Sequence, residues 1–465
     1  MIHRYCMLRI AVVAFALPCL HADRNDVGDH RILQGPMLGA PEPTTLRIWT
    51  RANGPYPVSV EYGRSPHLRD AQVSAVTTAS AQADFTTVTL LEHLEPDTTY
   101  YYRILVDGRS PKYLRNKPAF RARTAPASPA RFSVGFGSCA RYGEDPVQPI
   151  WQQVATERPD LFLWLGDNIY ADTILPEMIA EEYRRQRDVV SLQPVLRSIP
   201  QLAVWDDHDY GLNDHDRENP IKADALRIFK NYWANPAYGL PDTPGVFFRY
   251  RYGGVDFFFL DGRYHRAPYF EADGPTKTFL GAAQLRWLKN ELRRSDASFK
   301  VLACGSGWTS QKGAEGDSWA TALQERDALF AFIREQDITG VVLLSGDTHR
   351  GELFAIPESQ HGGYDLYELV SSPLAQEPDD GERRARMREV TMRPPYLGGS
   401  NFGLLSFDMT ASDPTLTFEL INHFGDKPWP AFVIRASELR NGRETWTGKI
   451  GRKARAWYDA NQPES

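Results

Sequence analysis

The sequence predicts a layered α/β domain preceded by a small all-β domain, and three observations predict it. Residues 31–124 alternate apolar and polar side chains over short runs broken by turn residues. Beyond a Pro/Ala/Ser break, short apolar runs alternate with stretches of helical periodicity. Four of those later runs end on polar side chains able to bind metal.

Arg4 and Arg9 flank a basic start, and residues 10–20 are almost wholly apolar before the polar Asp23-Arg24-Asn25-Asp26. That apolar core is too short to span a bilayer, so residues 1–22 read as an export signal with Ala22 as the cleavage residue. The two arginines are not adjacent, which does not fit a twin-arginine route. An exported chain, periplasmic or extracellular, is expected. Of the four cysteines, Cys6 and Cys19 fall in the signal, leaving Cys139 and Cys304. A disulfide between those two would be a thin staple for so long a chain.

In the all-β domain, residues 45–50, 58–62, 85–90 and 100–105 read as strands. Leu94-Glu95-Pro96-Asp97-Thr98-Thr99-Tyr100 has the form of a corner in an immunoglobulin- or fibronectin-type sandwich, with Tyr100 fixing the bend. Ala125-Pro126-Ala127-Ser128-Pro129-Ala130 is the linker. The larger domain, residues 130–438, offers strands at 132–136, 161–165, 202–205, 255–260, 301–303 and 341–344. Leu285, Leu288 and Leu292 mark one buried helix face, and Pro220 opens a helix running to Trp233. Residues 439–465 are polar and basic, a terminal helix or a tail.

The chain has 465 residues, 42% of them hydrophobic and 24% charged, so a folded protein rather than a disordered one is expected. The net charge is 53 − 59 = −6 with no long run of one sign, which argues against a nucleic-acid groove. No segment after the signal is long and apolar enough to cross a membrane.

The chemistry lies in the polar blocks at the ends of the apolar runs. The run 132–136 leads into Gly137-Ser138-Cys139-Ala140-Arg141, and 161–165 into Gly166-Asp167-Asn168-Ile169-Tyr170. The run 202–205 leads into Asp206-Asp207-His208-Asp209, and 341–344 into Ser345-Gly346-Asp347-Thr348-His349-Arg350. Ligands bind at that edge of a layered sheet, where the strands fix the loops. One Gly-Asp or Asp-His pair is an ordinary turn or helix cap. Four together would crowd carboxylates that repel one another unless a cation sits among them.

Together the four blocks resemble the alkaline phosphatase D family of metallophosphoesterases. The resemblance covers most of the mature chain to about Leu420 and includes Glu368-Leu369-Val370-Ser371-Ser372-Pro373. It implies a four-layer α/β/β/α catalytic domain, two mixed sheets flanked by helices, behind the small β-sandwich. It also implies a metal-dependent phosphoester hydrolase acting on a small-molecule or polymer phosphate ester; a monomer is expected.

By that resemblance Cys139, Asp167, Tyr170 and His349 hold one metal. A Tyr ligand must lose a proton with a reference pKa of about 10, which requires a strong Lewis acid such as Fe3+. Asp167 bridges to a second, oxygen-liganded metal, Ca2+ first with Mg2+ or Mn2+ as alternatives, held also by Asp347 and by Asp207 or Asn213. In related enzymes a water made acidic by coordination yields the hydroxide that attacks phosphorus in line, and His208 stands where they place a transition-state or leaving-group histidine. Arg141 and Arg350 are the candidates for holding phosphate oxygens. Bland alternatives stand beside these: Cys139 as a small buried residue, Tyr170 as packing, Asp206 and Asp209 as caps, and the arginines as surface ion pairs. Asp261-Gly262-Arg263 ends another strand and lies near the site by topology, but reads as an ordinary turn salt bridge. Trp308 and Lys312, in a Gly-rich loop, either line the pocket or pack in the core. The rival functions are a non-catalytic phosphate-binding or cell-surface protein and a metal-dependent amide hydrolase. Cys and Tyr ligands argue against the latter.

Overall fold

The computed structural model describes residues 31–115, 117–314, 316–379 and 387–460. The expected export signal lies outside the described residues. The first described strands form two antiparallel sheets. One contains Ile32–Leu38, Leu46–Ala52 and Thr86–Leu91. The other contains Gln72–Val73, Pro57–Gly63, Thr99–Val106 and Phe120–Arg123, with Thr77–Thr78 pairing on Pro57–Gly63. Alternate residues such as Ile48, Val58, Val60, Tyr102 and Ile104 are buried in a core of their own. At the expected corner, the Tyr100 hydroxyl accepts a 2.9 Å hydrogen bond from the Glu95 N–H.

This β-unit is seated on the rest of the chain by specific contacts. The Trp49 indole donates to the Asn231 carbonyl at 2.7 Å, and the Gln34 amide donates to Asp188 at 2.8 Å. Those partners lie on or at the ends of the helices Pro176–Asp188 and Lys222–Tyr232.

Two mixed sheets make up the larger part. The six-stranded sheet runs Gln201–Val204, Leu161–Leu165, Arg131–Gly137, Asn401–Asp408, Thr415–Asn422, Phe432–Arg435, its first three strands parallel. The seven-stranded sheet runs Phe248–Tyr252, Val255–Phe259, Lys300–Ala303, Val341–Ser345, Leu366–Val370, Glu352–Ile356, Val390–Thr391. Its segment from Val255–Phe259 to Leu366–Val370 is parallel. Phe407 of the first sheet meets Phe257 of the second edge-on, with ring centres 6.1 Å apart. Helices cover the outer faces. Trp233, at the end of Lys222–Tyr232, packs on Trp164, and Trp287 of Ala282–Arg294 packs on Phe258. The architecture is helix, sheet, sheet, helix, as the resemblance implied.

The strands expected in the larger domain are found within a residue or two. Trp205 departs from expectation by leaving its strand, and its indole donates to Asp261 at 2.9 Å. Asn401–Asp408 and Thr415–Asn422, unanticipated in the sequence, pair antiparallel and complete the first sheet. The C-terminal segment forms the helices Trp446–Lys449 and Arg452–Ala460. It is anchored where Thr445 and Trp446 N–H groups donate to Asp365, at 2.6 and 3.0 Å. Asp365 precedes Leu366–Val370, so this anchor lies at the entry end of the parallel strands, opposite the metal-competent loops.

Glu368 in that strand gives a pH prediction. Its Oε1 accepts from the Trp308 N–H at 2.7 Å and the Ser345 hydroxyl at 2.5 Å, while Oε2 is buried without a partner among the described residues. Burial pushes the carboxyl from its ordinary 4.5 up to about 7. Below about pH 4.5 the group is protonated in both folded and unfolded chains, so it costs folding nothing. The cost then grows as pH rises towards 7, reaching on the order of 3 kcal/mol above it. Glu368→Gln is therefore expected to raise the melting temperature relative to the parent at pH 8 and not at pH 4, read by thermal denaturation across pH.

Candidate metal centre

Five of the candidate ligands sit just past the carboxyl ends of parallel strands. Cys139 follows Arg131–Gly137, Asp167 follows Leu161–Leu165, Asp207 follows Gln201–Val204, and Asp347 and His349 follow Val341–Ser345. Sharp turns aim them inward. Cys139, Asp167, Asp347 and His349 all have left-handed backbones, with φ of 61°, 49°, 69° and 50°. Such conformations cost a non-glycine residue about 1–3 kcal/mol and cluster at functional sites. Gly166, at φ +82°, allows the first sheet's loops to touch, since a Cβ there would lie 2.6 Å from Asp206 Cβ. The two sheets' loops are tied where the Asp347 N–H donates to Ser138 Oγ at 3.1 Å.

Cys139, Asp167, Tyr170 and His349 converge. Cys139 Sγ lies 3.3 Å from Asp167 Oδ2, and the Tyr170 hydroxyl lies 3.4 Å from the same oxygen. Tyr170 OH is also 3.2 Å from His349 Nε2, and Gln376 holds the other ring nitrogen at 3.2 Å. Cys139 and Asp167 form a buried floor, with Tyr170 and His349 half-buried at the rim. Asp167 Oδ1 is buried with no hydrogen-bond partner among the described residues. Burial, then Cys139 and Asp207, pushes the Asp167 carboxyl well above the usual range. Burial likewise raises the Cys139 thiol and the Tyr170 phenol and lowers the His349 imidazolium. Burial thus disfavours the charged form of each group, whereas a cation among them would stabilise the carboxylate, thiolate and phenolate and would take the neutral imidazole as a ligand. An orphaned carboxylate oxygen beside S, O and N donors fits a strongly Lewis-acidic metal.

A second, acidic group adjoins the first. Ligand atoms of Asp167, Asp207 and His208 lie within 4.8 Å of one another, as do those of Asp206, Asp317 and Asp347 and those of Asp207, Asp214 and Asp317. Asp317 gives no signal in the sequence because it lies in an irregular Gly-rich loop with no periodicity. Arg263 is another surprise. Rather than forming an ordinary turn bridge, it is fully buried and ion-paired with Asp206, Asp317 and, at 3.3 Å, Asp207. Asp206 also caps the short helix Asp207–Tyr210, with Asp209 as the reciprocal partner.

The remaining candidates are distributed unevenly. His208 stacks on the Tyr170 ring at 4.1 Å, and its Nδ1 lies 2.6 Å from Asp172. Burial works against its charge, but Asp167, Asp172 and Asp207 outweigh it and push the imidazolium up to about 10. Arg141 lies over the Tyr170 ring at 5.1 Å and pairs with Glu144 at 2.8 Å. Arg350 is nearly buried and engages Asp379 at 3.1 Å, so a phosphate oxygen would compete with that carboxylate. Asn213 and Asp214 are both exposed in the loop after Asp207; an oxygen of Asp214 lies within 4.8 Å of ligand atoms of Asp207 and Asp317, and the Asp214 N–H donates to Asp207 at 2.8 Å. Trp308 belongs to the core, stacked on Trp319 at 4.7 Å, and Lys312 Nζ reaches Asp347 at 2.5 Å. Cys304 is buried too, and both described cysteines are free thiols.

A sequence profile for PhoD-like phosphatases matches residues 134–418. The chain belongs to that family. A companion profile, for the PhoD-like phosphatase N-terminal domain, matches residues 19–126. This PhoD-like phosphatase is 25% identical over 430 residues to alkaline phosphatase D of Bacillus subtilis (strain 168), covering 78% of this chain and 72% of that protein. A solved structure of PhoD shares the fold with a TM-score of 0.70 at 19% identity, over 91% of this chain and 95% of that one. The purple acid phosphatase of yellow lupin (Lupinus luteus) seeds shares it with a TM-score of 0.62 at 12% identity, over 86% and 74% of the two chains. The PhoD-like phosphatase is a metal-dependent phosphoester hydrolase, and a purely binding role is not favoured. No helix among its described residues is long and apolar enough to cross a membrane.

Proposed function

We propose that the enzyme is exported and hydrolyses phosphomonoesters, phosphodiesters or both at a site holding Fe3+ and an oxygen-liganded divalent cation. Cys139, Asp167, Tyr170 and His349 would hold the iron. Asp167, Asp347 and Asp207, with Asn213 or its neighbour Asp214, would hold the second ion, Ca2+ before Mg2+ or Mn2+. The observation that carries this reading is the meeting of a buried thiol, phenol, imidazole and orphaned carboxylate within hydrogen-bonding distance of one another. When bound, the cations would supply Lewis acidity for the phosphate oxygens and for a water nucleophile.

The chain's own side chains account for the rest. His208, braced at Nδ1 by Asp172, would give a proton to the leaving oxygen. Arg141, partly exposed beside Tyr170, is placed to bind a non-bridging oxygen by a charge-assisted bond. Arg350 would do so only by exchanging Asp379 for phosphate. Half-buried Tyr170, His349 and His208 leave the rim open to an ester, while Cys139 and Asp167 stay shielded from water. A monomer suffices, because every residue named comes from one chain.

The test is hydrolysis of p-nitrophenyl phosphate and of bis-p-nitrophenyl phosphate, with metal content measured on the same sample. Cleavage of at least one ester, lost on chelation and restored with metal, is expected. Protein at full metal occupancy that cleaves neither would contradict the proposal.

A further inference from the structure

Asp347 and Asp207, which would receive the second cation, and the neighbouring carboxylates of Asp206 and Asp317 already face cations belonging to the chain. Asp317 pairs with Arg263 and, at 2.5 Å, with Arg266. Asp206 and Asp207 face Arg263 as well. Asp347 Oδ2 accepts from Lys312 Nζ at 2.5 Å. These three cations are not alike. The side chains of Arg263 and Arg266 are 0% and 2% exposed. Arg263 is bound in addition to Ser306 Oγ at 3.4 Å and the His215 carbonyl at 3.5 Å, so it is fixed from several sides. The Lys312 side chain is 29% exposed, and its ion pair is with Asp347. A lysine ammonium is a compact, strongly hydrated point charge on a flexible stem, and water can take over its hydrogen bonds when it leaves. It therefore stands against a carboxylate oxygen much as a small divalent cation does, but exchangeably.

We propose that Lys312 is an internal competitor at the second cation position, its ammonium holding the Asp347 carboxylate until a divalent cation displaces it. The divalent ion then binds reversibly, and occupancy follows its concentration outside, while the ion at Cys139, Asp167, Tyr170 and His349 stays in place. Arg263 and Arg266 remain with Asp206 and Asp317 throughout and keep the surrounding carboxylates neutralised in either state. This inference rests on the two-cation reading above.

Equilibrium dialysis of the purified, iron-containing protein against graded Ca2+, with bound metal counted by mass spectrometry, tests it. Lys312→Met keeps the stem and removes the charge, and is expected to bind Ca2+ about tenfold more tightly than the parent with iron content unchanged. Lys312→Arg keeps the charge and is expected to bind Ca2+ as weakly as the parent. Lys312→Gln provides the same comparison should the Met variant fold poorly. Parent and Lys312→Met proteins that bind Ca2+ equally, or a variant that binds it less tightly, overturn the role of Lys312 alone. A parent protein that takes up iron but no Ca2+ at any concentration overturns the two-cation reading, and the inference with it.

Discussion

Asp167→Asn is expected to lower kcat/KM for p-nitrophenyl phosphate by at least about a thousandfold while leaving the far-ultraviolet circular dichroism unchanged. Asp167 is the residue common to both clusters: Cys139 and Tyr170 converge on its Oδ2, and it neighbours Asp207 and His208. An amide at that position keeps the shape and removes the charge on which both cations would rely. The same change should act oppositely on the metal-free fold. A carboxylate held above its usual range by burial destabilises the protein wherever it is ionised, so the metal-free variant should melt higher than metal-free parent at pH 8. Activity within a few-fold of the parent would remove Asp167 from the centre.

Arg263→Met is expected to cost about 3–5 kcal/mol of folding stability, because it leaves the buried carboxylates of Asp206 and Asp207 without their guanidinium and Asp317 with Arg266 alone. Methionine fills much of the volume, so the loss reports charge rather than a cavity. Arg227→Met is the comparison. It breaks a pair with Asp224 in which the side chains are 51% and 49% exposed, and it should change stability by less than about 1 kcal/mol. Urea denaturation of both variants checks the contrast. Equal, small losses would mean that something other than Arg263 neutralises the acidic group.

How much of this is legible in the sequence depends on periodicity. Cys139, Asp167, Asp207, Asp347 and His349 stand out because each follows an unbroken apolar strand, and strands buried on both faces are the clearest pattern a sequence offers. Tyr170 is reached through the family block containing Asp167. Asp317 and Arg263 escape recognition, since each is placed by loops whose course follows from tertiary packing rather than from any local repeat. In the loop after Asp207 the sequence singles out Asn213, while its neighbour Asp214, not read as a ligand, brings a carboxylate oxygen near those of Asp207 and Asp317. Sequence alone leaves Trp308 undecided between pocket and core, and stacking against Trp319 puts it in the core. The strands Asn401–Asp408 and Thr415–Asn422 alternate buried and partly exposed positions only in part, which hides their place beside Arg131–Gly137.

The central claim is that Cys139, Asp167, Tyr170 and His349 grip one strongly acidic ion. Elemental analysis and the visible absorption spectrum of the purified protein, taken together with those of Tyr170→Phe, test it most directly. The expected result is about one iron per chain and a phenolate-to-iron absorption band that disappears in the variant. Colourless protein carrying stoichiometric zinc, or a band that survives loss of the Tyr170 hydroxyl, would contradict it.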